Sequence, residues 1–203
     1  QWQRVLTKDP KKWANKYGGA WVDMADGVIF EHVNWIKELP DTITKFSFGV
    51  DFGFSSDPTT LVKCGISDGQ LFAQRLIYET QMTTNDIHTA FKNIGLSRKD
   101  NIIADSADPK TIKELRILGW NVKGAKKGND SIRHGIDKIK NYGGLNIVNC
   151  KYWKVEQISY IWAVDRKTDS LSSKPVDNFN HLFDALRYGI QGLNRRNAQT
   201  SFR

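Results

Sequence analysis

Between Lys45 and Thr60 the chain reads KFSFGVDFGFSSDPTT, and its bulky apolar residues fall on alternate positions. Phe46, Phe48, Val50 and Phe52 share one face of a predicted strand, while Ser47, Gly49, Asp51 and Gly53 make the other, a face of small residues interrupted by one acid. A carboxylate inside such a strand is costly unless something positive neutralises it. Divalent metal is the usual solution when further carboxylates converge on the same point.

Two more β-type runs follow, Thr60 to Ile66 and Gln70 to Tyr78, joined through Ser67, Asp68 and Gly69. Asp-Gly between such runs predicts a hairpin, so the three strands form an antiparallel meander. From there the period changes. Thr83 or Thr84 caps a helix through about Asn93, with Ile87, Ala90, Phe91 and Ile94 on one side. Ile102 and Ile103 lead as a short strand into Asp105. Asp108-Pro109 opens a second helix with Ile112, Leu115 and Leu118 as its buried stripe, stopped by Gly119 and followed by a strand from Trp120 to Val122. Asp130 or Ser131 caps a third helix carrying Ile132, Ile136 and Ile139. Leu145 to Val148 is a brief strand, and Trp153 to Val164 reads as a helix with Val155, Ile158, Ile161 and Trp162 inward. Asp165 to Asp177 is polar and without period, which predicts a loop, and its stretch from Arg166 to Lys174 is a candidate regulator of access to a site. Phe179, Leu182, Phe183, Leu186 and Ile190 then build a last helix. Residues 1–40 show no sustained period and read as an irregular lead-in segment, 41–193 as the domain, and 194–203 as a basic flexible tail. A meander followed by alternating helices and strands predicts an α/β fold, a mixed sheet of antiparallel and parallel strands flanked by helices.

Composition adds a partner. With 203 residues, 39% of them apolar and 11% aromatic, the chain is globular, and its formal charge of +8 suggests an acidic partner, nucleic acid being the commonest. Cys64 and Cys150 stand alone in apolar surroundings, and His32, His88, His134 and His181 lack zinc-ligand spacing. No apolar run of about 18 residues exists to cross a membrane, and no signal peptide opens the chain. Gln1 in place of Met suggests a piece of something longer.

Three acids fall at separated places: Asp51 on the first strand, Asp105 at the end of the fourth, and Asp184 on the last helix. Parallel strands collect sites at their carboxyl ends, so pairing of the first and fourth strands would make Asp51 and Asp105 neighbours. Hard oxygen ligands of this kind suit two metal ions about 4 Å apart, which activate water against a phosphodiester. Simpler readings stand beside each. Asp51 also fits a turn cap, Asp105 the start of a turn, and Asp108 a helix cap. Asp184 falls opposite the apolar stripe, a solvated position unless the helix is packed on two sides. His181, one turn earlier, orients a ligand, touches a phosphate or sits on the surface. Asp57, before Pro58, shapes a turn or adds a ligand. Lys123, Lys126, Lys127 and Arg133 surround Gly-Ala-Lys-Lys-Gly ahead of a helix N-terminus, an anion seat or a solvated basic face. No Walker loop occurs, and the Asp-Phe-Gly at 51–53 has no other kinase element with it.

GVDFGFSSDPTT, IIADSADPKTIKELRILGWNVKGAKKG and PVDNFNHLFDALRYGI, in this order, resemble the C-terminal nuclease domain of the large terminase subunits of tailed bacteriophages, of the type from phages of Gram-positive bacteria. The likeness runs from about Gly27 to Leu193. It implies an RNase H-like (RuvC-like) fold and a metal-dependent endonuclease that cuts concatemeric double-stranded DNA when packaging starts and ends. It also implies Asp51, Asp105 and Asp184 as ligands for two Mg2+ or Mn2+ ions, Asp57 and His181 as accessory residues, and the Gly-Ala-Lys-Lys-Gly segment beside the DNA backbone. The implied partners are an N-terminal ATPase domain of the same full-length protein, absent here, with residues 1–26 its end or its linker, together with the small terminase subunit and the portal. The implied location is the host cytoplasm, outside the finished virion. The rival functions are a junction resolvase or RNase H on the same scaffold, and a DNA- or portal-binding module with a vestigial acidic site.

Overall fold

The computed structural model describes residues 27–165 and 170–193. Along them run β1 (Asn34–Ile36), β2 (Phe46–Asp51), β3 (Thr59–Ser67), β4 (Gln70–Glu79), α1 (Thr84–Ile94), β5 (Ile102–Ala104), α2 (Pro109–Ile117), β6 (Val122–Gly124), α3 (Ser131–Lys140), β7 (Leu145–Val148), α4 (Lys151–Ser159), β8 (Trp162–Asp165), β9 (Ser170–Pro175) and α5 (His181–Leu193). Seven strands make one mixed sheet in the order β1-β7-β4-β3-β2-β5-β6, and β8 and β9 pair separately.

The meander is β2, β3 and β4, antiparallel throughout, with Asp51 opposite Thr60. Asp68 (φ 47) and Gly69 (φ 72) both take left-handed backbone, as a two-residue hairpin turn requires. β5 then lies parallel to β2, and β6 parallel to β5, while β7 returns to the far side beside β4. Local capping explains where the helices start. Thr83 and Asp86 form a reciprocal capping box for α1, and the Asp108 carboxylate accepts the Thr111 N–H ahead of Pro109 in α2. Asp130 precedes α3 as expected, but in a left-handed conformation (φ 57) that gives its side chain no cap bond.

Each face of the sheet has its own core. Phe48, Val50, Leu61 and Ile77 pack under α1 and α2 with Ile87, Phe91 and Leu115. Val62, Cys64 and Ala73 pack on the other face with Ile136 of α3, Trp153 of α4, and Phe183 and Leu186 of α5. The small-residue face of β2 is what admits α5 so closely. A Cβ on Gly49 would stand 1.7 Å from the Ala185 carbonyl oxygen, and one on Gly192 would stand 2.0 Å from Ser47 Oγ. Buried residues consequently run almost continuously around α5 from Leu182 to Gly192. The two-sided packing that a buried Asp184 requires is met, and its side chain is 15% exposed.

Four readings of the pattern are corrected. Val28, Ile29 and Phe30 are core residues and β1 pairs in parallel with β7, so residues 27–40 are built into the body of the fold. The helix expected over 153–164 ends at Ser159, and the polar stretch expected as a loop over 165–177 contains β9, paired antiparallel with β8. The cause of both is long range. Trp162 N–H donates to the Gly27 carbonyl, Ile29 N–H donates to the Tyr160 carbonyl, and Val28 bridges Ile161, which draws residues 160–162 into extended backbone. Phe179, expected on the last helix, precedes it with a positive φ of 55. The segments 1–26 and 194–203, including the basic tail, lie outside the described residues. None of the described helices is long and apolar enough to cross a membrane.

Candidate functional site

Asp51 is the last residue of β2, and Asp105 follows directly on β5. Val50 and Ala104 are register partners, and the Asp105 N–H donates to the Val50 carbonyl at 2.9 Å, so the two carboxylates leave neighbouring parallel strands side by side. α5 crosses the same strand end and adds His181 and Asp184, one helical turn apart. Asp51, Asp57, Asp105, Lys127, His181, Asp184 and Arg187 all line one cleft of about 350 Å³. Phe52, Ser131, Ile132, Asp177, Asn180 and Tyr188 complete its wall.

Each acid has a partner of its own. His181 Nδ1 lies 3.2 Å from Asp51 Oδ2, while its Nε2 faces the exposed Asp57 at 3.9 Å. Lys127 Nζ sits 2.5 Å from Asp105 Oδ1, and the same oxygen accepts the Ala107 N–H at 2.8 Å. Arg187 clamps Asp184 Oδ1 through Nη2 at 2.8 Å and Nε at 3.1 Å, and Asn180 Nδ2 reaches Asp184 Oδ2 at 3.4 Å. The Thr60 hydroxyl donates to the His181 carbonyl at 3.1 Å, tying the start of α5 to β3.

Burial pushes the Asp51 carboxyl from 3.8 up to about 6, the charges of Asp184 and Asp105 adding to the rise and the bond to His181 opposing it. Burial also raises Asp184, against the pull of Arg187. For His181, burial disfavours the charged ring, but the bond and charge of Asp51 outweigh it and the net shift is upward. The negative charge of Asp105 adds to the upward shift of both Asp51 and Asp184, so the three carboxylates form a repulsive set that added positive charge relieves.

The donors fit a hard divalent cation: all are carboxylate oxygens, with one imidazole beside them. The cage is not ready-made. Among the described residues no three His, Cys, Asp or Glu side chains converge tightly enough to hold an ion as they stand. The cations Lys127 and Arg187 pair with Asp105 and Asp184 instead.

The residues expected to meet DNA divide. Lys127 is in the cleft, and Lys126 lines an adjoining groove with Ser131, His134, Lys138 and Arg187. Lys123 on β6 and Arg133 on α3 line neither, Arg133 instead lying over the Trp162 ring at 5.6 Å and 3.9 Å from Asp137. Arg187, Asn180 and Asp177 went unnoticed in the sequence. The i, i+3 spacing of Asp184 and Arg187 is the one signal that points to such a pair.

The description "Terminase RNAseH like domain" belongs to the family that matches residues 51–191. The large terminase subunit of Bacillus phage SPP1 is 28% identical over 154 residues, which is 70% of this chain and 35% of that protein. The chain thus spans about a third of the length of this curated relative. Among solved structures, the nuclease domain of the SPP1 large terminase with bound Mn superposes with a TM-score of 0.68 at 24% identity, covering 80% of this chain and 97% of that one. The large terminase nuclease of thermophilic phage G20c with bound magnesium gives 0.59 at 14% identity, covering 83% and 99%. These two likenesses carry the fold.

Proposed function

The chain belongs to the family of terminase RNase H-like domains, and from that premise we propose that it is the divalent-metal-dependent endonuclease domain of a viral DNA-packaging terminase. The observation that carries the reading is the convergence of Asp51, Asp105 and Asp184, from two adjacent strand ends and one helix, on a single cleft. Asp51, Asp105 and Asp184, with Asp57 as an auxiliary, are the residues that would hold Mg2+ or Mn2+, two ions being the number that three to four carboxylates suit. Bound there, the ions supply Lewis-acid stabilisation of a phosphodiester under attack by water. That the SPP1 and G20c nuclease domains, which share this fold, carry bound Mn and magnesium supports a dependence on divalent metal.

The protein's own groups do the rest. Asp51, at the end of an interior strand of the sheet, fixes one end of the site. His181 donates to Asp51 through Nδ1 and leaves Nε2 directed toward Asp57 and the cleft mouth, where a phosphate oxygen or a water proton is within its reach. Lys127 and Arg187 hold Asp105 and Asp184 in place, and with those carboxylates engaged by a cation the two side chains would be free to meet the phosphates of the substrate. Lys126 and the groove beside it extend that positive track. The substrate is concatemeric double-stranded DNA, read through its backbone, with the N-terminal ATPase domain of the full-length protein, the small terminase subunit and the portal as partners in the host cytoplasm. The test is plasmid cleavage by the purified chain. Cleavage that needs Mn2+ or Mg2+, stops with EDTA and disappears in Asp51→Asn supports the assignment. Cutting that survives either treatment overturns it.

A further inference from the structure

Glu156 lies on α4 at 1% exposure, and it is not among the residues that line the cleft. Its Oε2 accepts the backbone N–H of Leu182 at 2.8 Å and of Phe183 at 3.4 Å. Those N–H groups belong to the first turn of α5, where a helix has no carbonyls of its own to offer them. A carboxyl there also meets the positive end of the helix dipole. Placing a carboxyl in a core is costly, and an apolar side chain would fill the same space without that cost. The turn it caps is the one that carries His181 and Asp184. Leu182 and Phe183 stand between them in sequence and point into the core, while His181 and Asp184 point into the cleft.

We propose that Glu156 is a positioning residue for the cleft: by seating the first turn of α5 from behind, it sets where His181 and Asp184 stand relative to Asp51. The inference rests on the nuclease reading above for its consequence, but not for its geometry. Thr60 restrains the carbonyl of His181 and Gly49 admits the next turn, so Glu156 supplies the restraint on the donor side of the same turn. Displacement of a supporting group of this kind typically costs about 10–100-fold in activity or metal affinity.

The test compares Glu156→Gln, Glu156→Asp and Glu156→Ala in the full chain. Plasmid cleavage with Mn2+ is measured at saturating DNA, and the ring nitrogen signals of His181 are recorded by NMR in the metal-free protein. Gln keeps the acceptor at the same reach, so it should cut at close to the parent rate with the parent imidazole pattern. Asp withdraws the acceptor by one methylene, and Ala removes it. Both should cut about 10-fold slower or more with little change in KM, and both should lose the His181 signature of the bond to Asp51. If Asp or Ala lowers only the melting temperature and leaves rate and imidazole pattern as in the parent, Glu156 is merely structural and the proposal is overturned. Should Ala fail to fold, Asp carries the same decision. If the parent itself does not cut, the nuclease reading fails, and the imidazole pattern of the three variants still decides the positioning role.

Discussion

Gly49 on β2 and Ala185 on α5 touch backbone to backbone, close enough that a Cβ on Gly49 would come 1.7 Å from the Ala185 carbonyl oxygen. This contact sets the distance between the strand that ends in Asp51 and the helix that carries His181 and Asp184. Any side chain at position 49 must push α5 outward. Gly49→Ala should therefore destabilise the fold by at least the 1–3 kcal/mol, roughly, of ordinary overpacking. Chemical denaturation measures it, and any folded fraction should have lost metal-dependent cleavage.

Asp51 illustrates a site residue that opposes stability. Its folded carboxyl ionises near pH 6 and its unfolded one near 3.8, so the folded state binds the proton more tightly and the native protein loses stability as pH rises through that window. Asp51→Asn should melt higher than the parent at pH 8 in EDTA while cutting nothing. A lower melting temperature in that variant would mean that the bond to His181 matters more than the buried charge.

Asp184 behaves differently because its partner is buried too. Arg187 is 5% exposed and its guanidinium is held by Asp184. Asp184→Ala leaves that charge uncompensated, a loss on the order of 3–5 kcal/mol. Asp184→Asn retains an acceptor and should unfold at a temperature between those of Ala and the parent. Both should be inactive, and thermal melts separate them.

Glu156 gives the chain a second pH signature. Burial lifts its carboxyl from 4.5 to about 8, opposed by the charge of His181 and by the two N–H bonds. The folded state therefore holds a proton that the unfolded state releases, and stability declines as pH rises from about 4.5 to about 8. Glu156→Gln should remove this contribution over the whole window from about pH 4.5 to about 8, leaving below about pH 6 the shallower decline that Asp51 supplies together with Asp184. Melting temperatures across pH 4 to 9, on the order of one reading per half unit, provide the comparison.

Lys126 lines the groove beside the cleft, whereas Lys123 does not. On double-stranded DNA, Lys126→Ala should weaken binding across sequences alike and reduce the salt dependence by about one phosphate contact. Lys123→Ala should change neither. Equal effects from both would mean that the backbone follows β6 rather than the α3 groove.

The local rules written in the residues were sufficient for much of this. The alternation of Phe46 to Gly53, the Asp-Gly hairpin, the Thr83 box and the Asp108-Pro109 start each depend on neighbours within a few positions, and those elements stand where the pattern places them. The two acids at strand ends were legible for the same reason, and that they meet depended on a parallel pairing of β2 and β5, which the register supplies. What the sequence left open depends on contacts between distant segments. The helix wheel alone leaves Asp184 in solvent, because a wheel does not know that Gly49, Gly189 and Gly192 let a second surface close over the polar side. Residues 160–162 read as helix until Gly27 and Ile29, more than a hundred positions earlier, claim their backbone hydrogen bonds. Glu156 has no sequence signal at all: its role arises from two N–H groups of a helix that begins 25 residues later. Sequence therefore determined the meander, the capped helix starts and the positions of the two acids of the sheet, while tertiary packing decided that α5 is enclosed, and with it that His181, Asp184 and Arg187 share one cleft with Asp51.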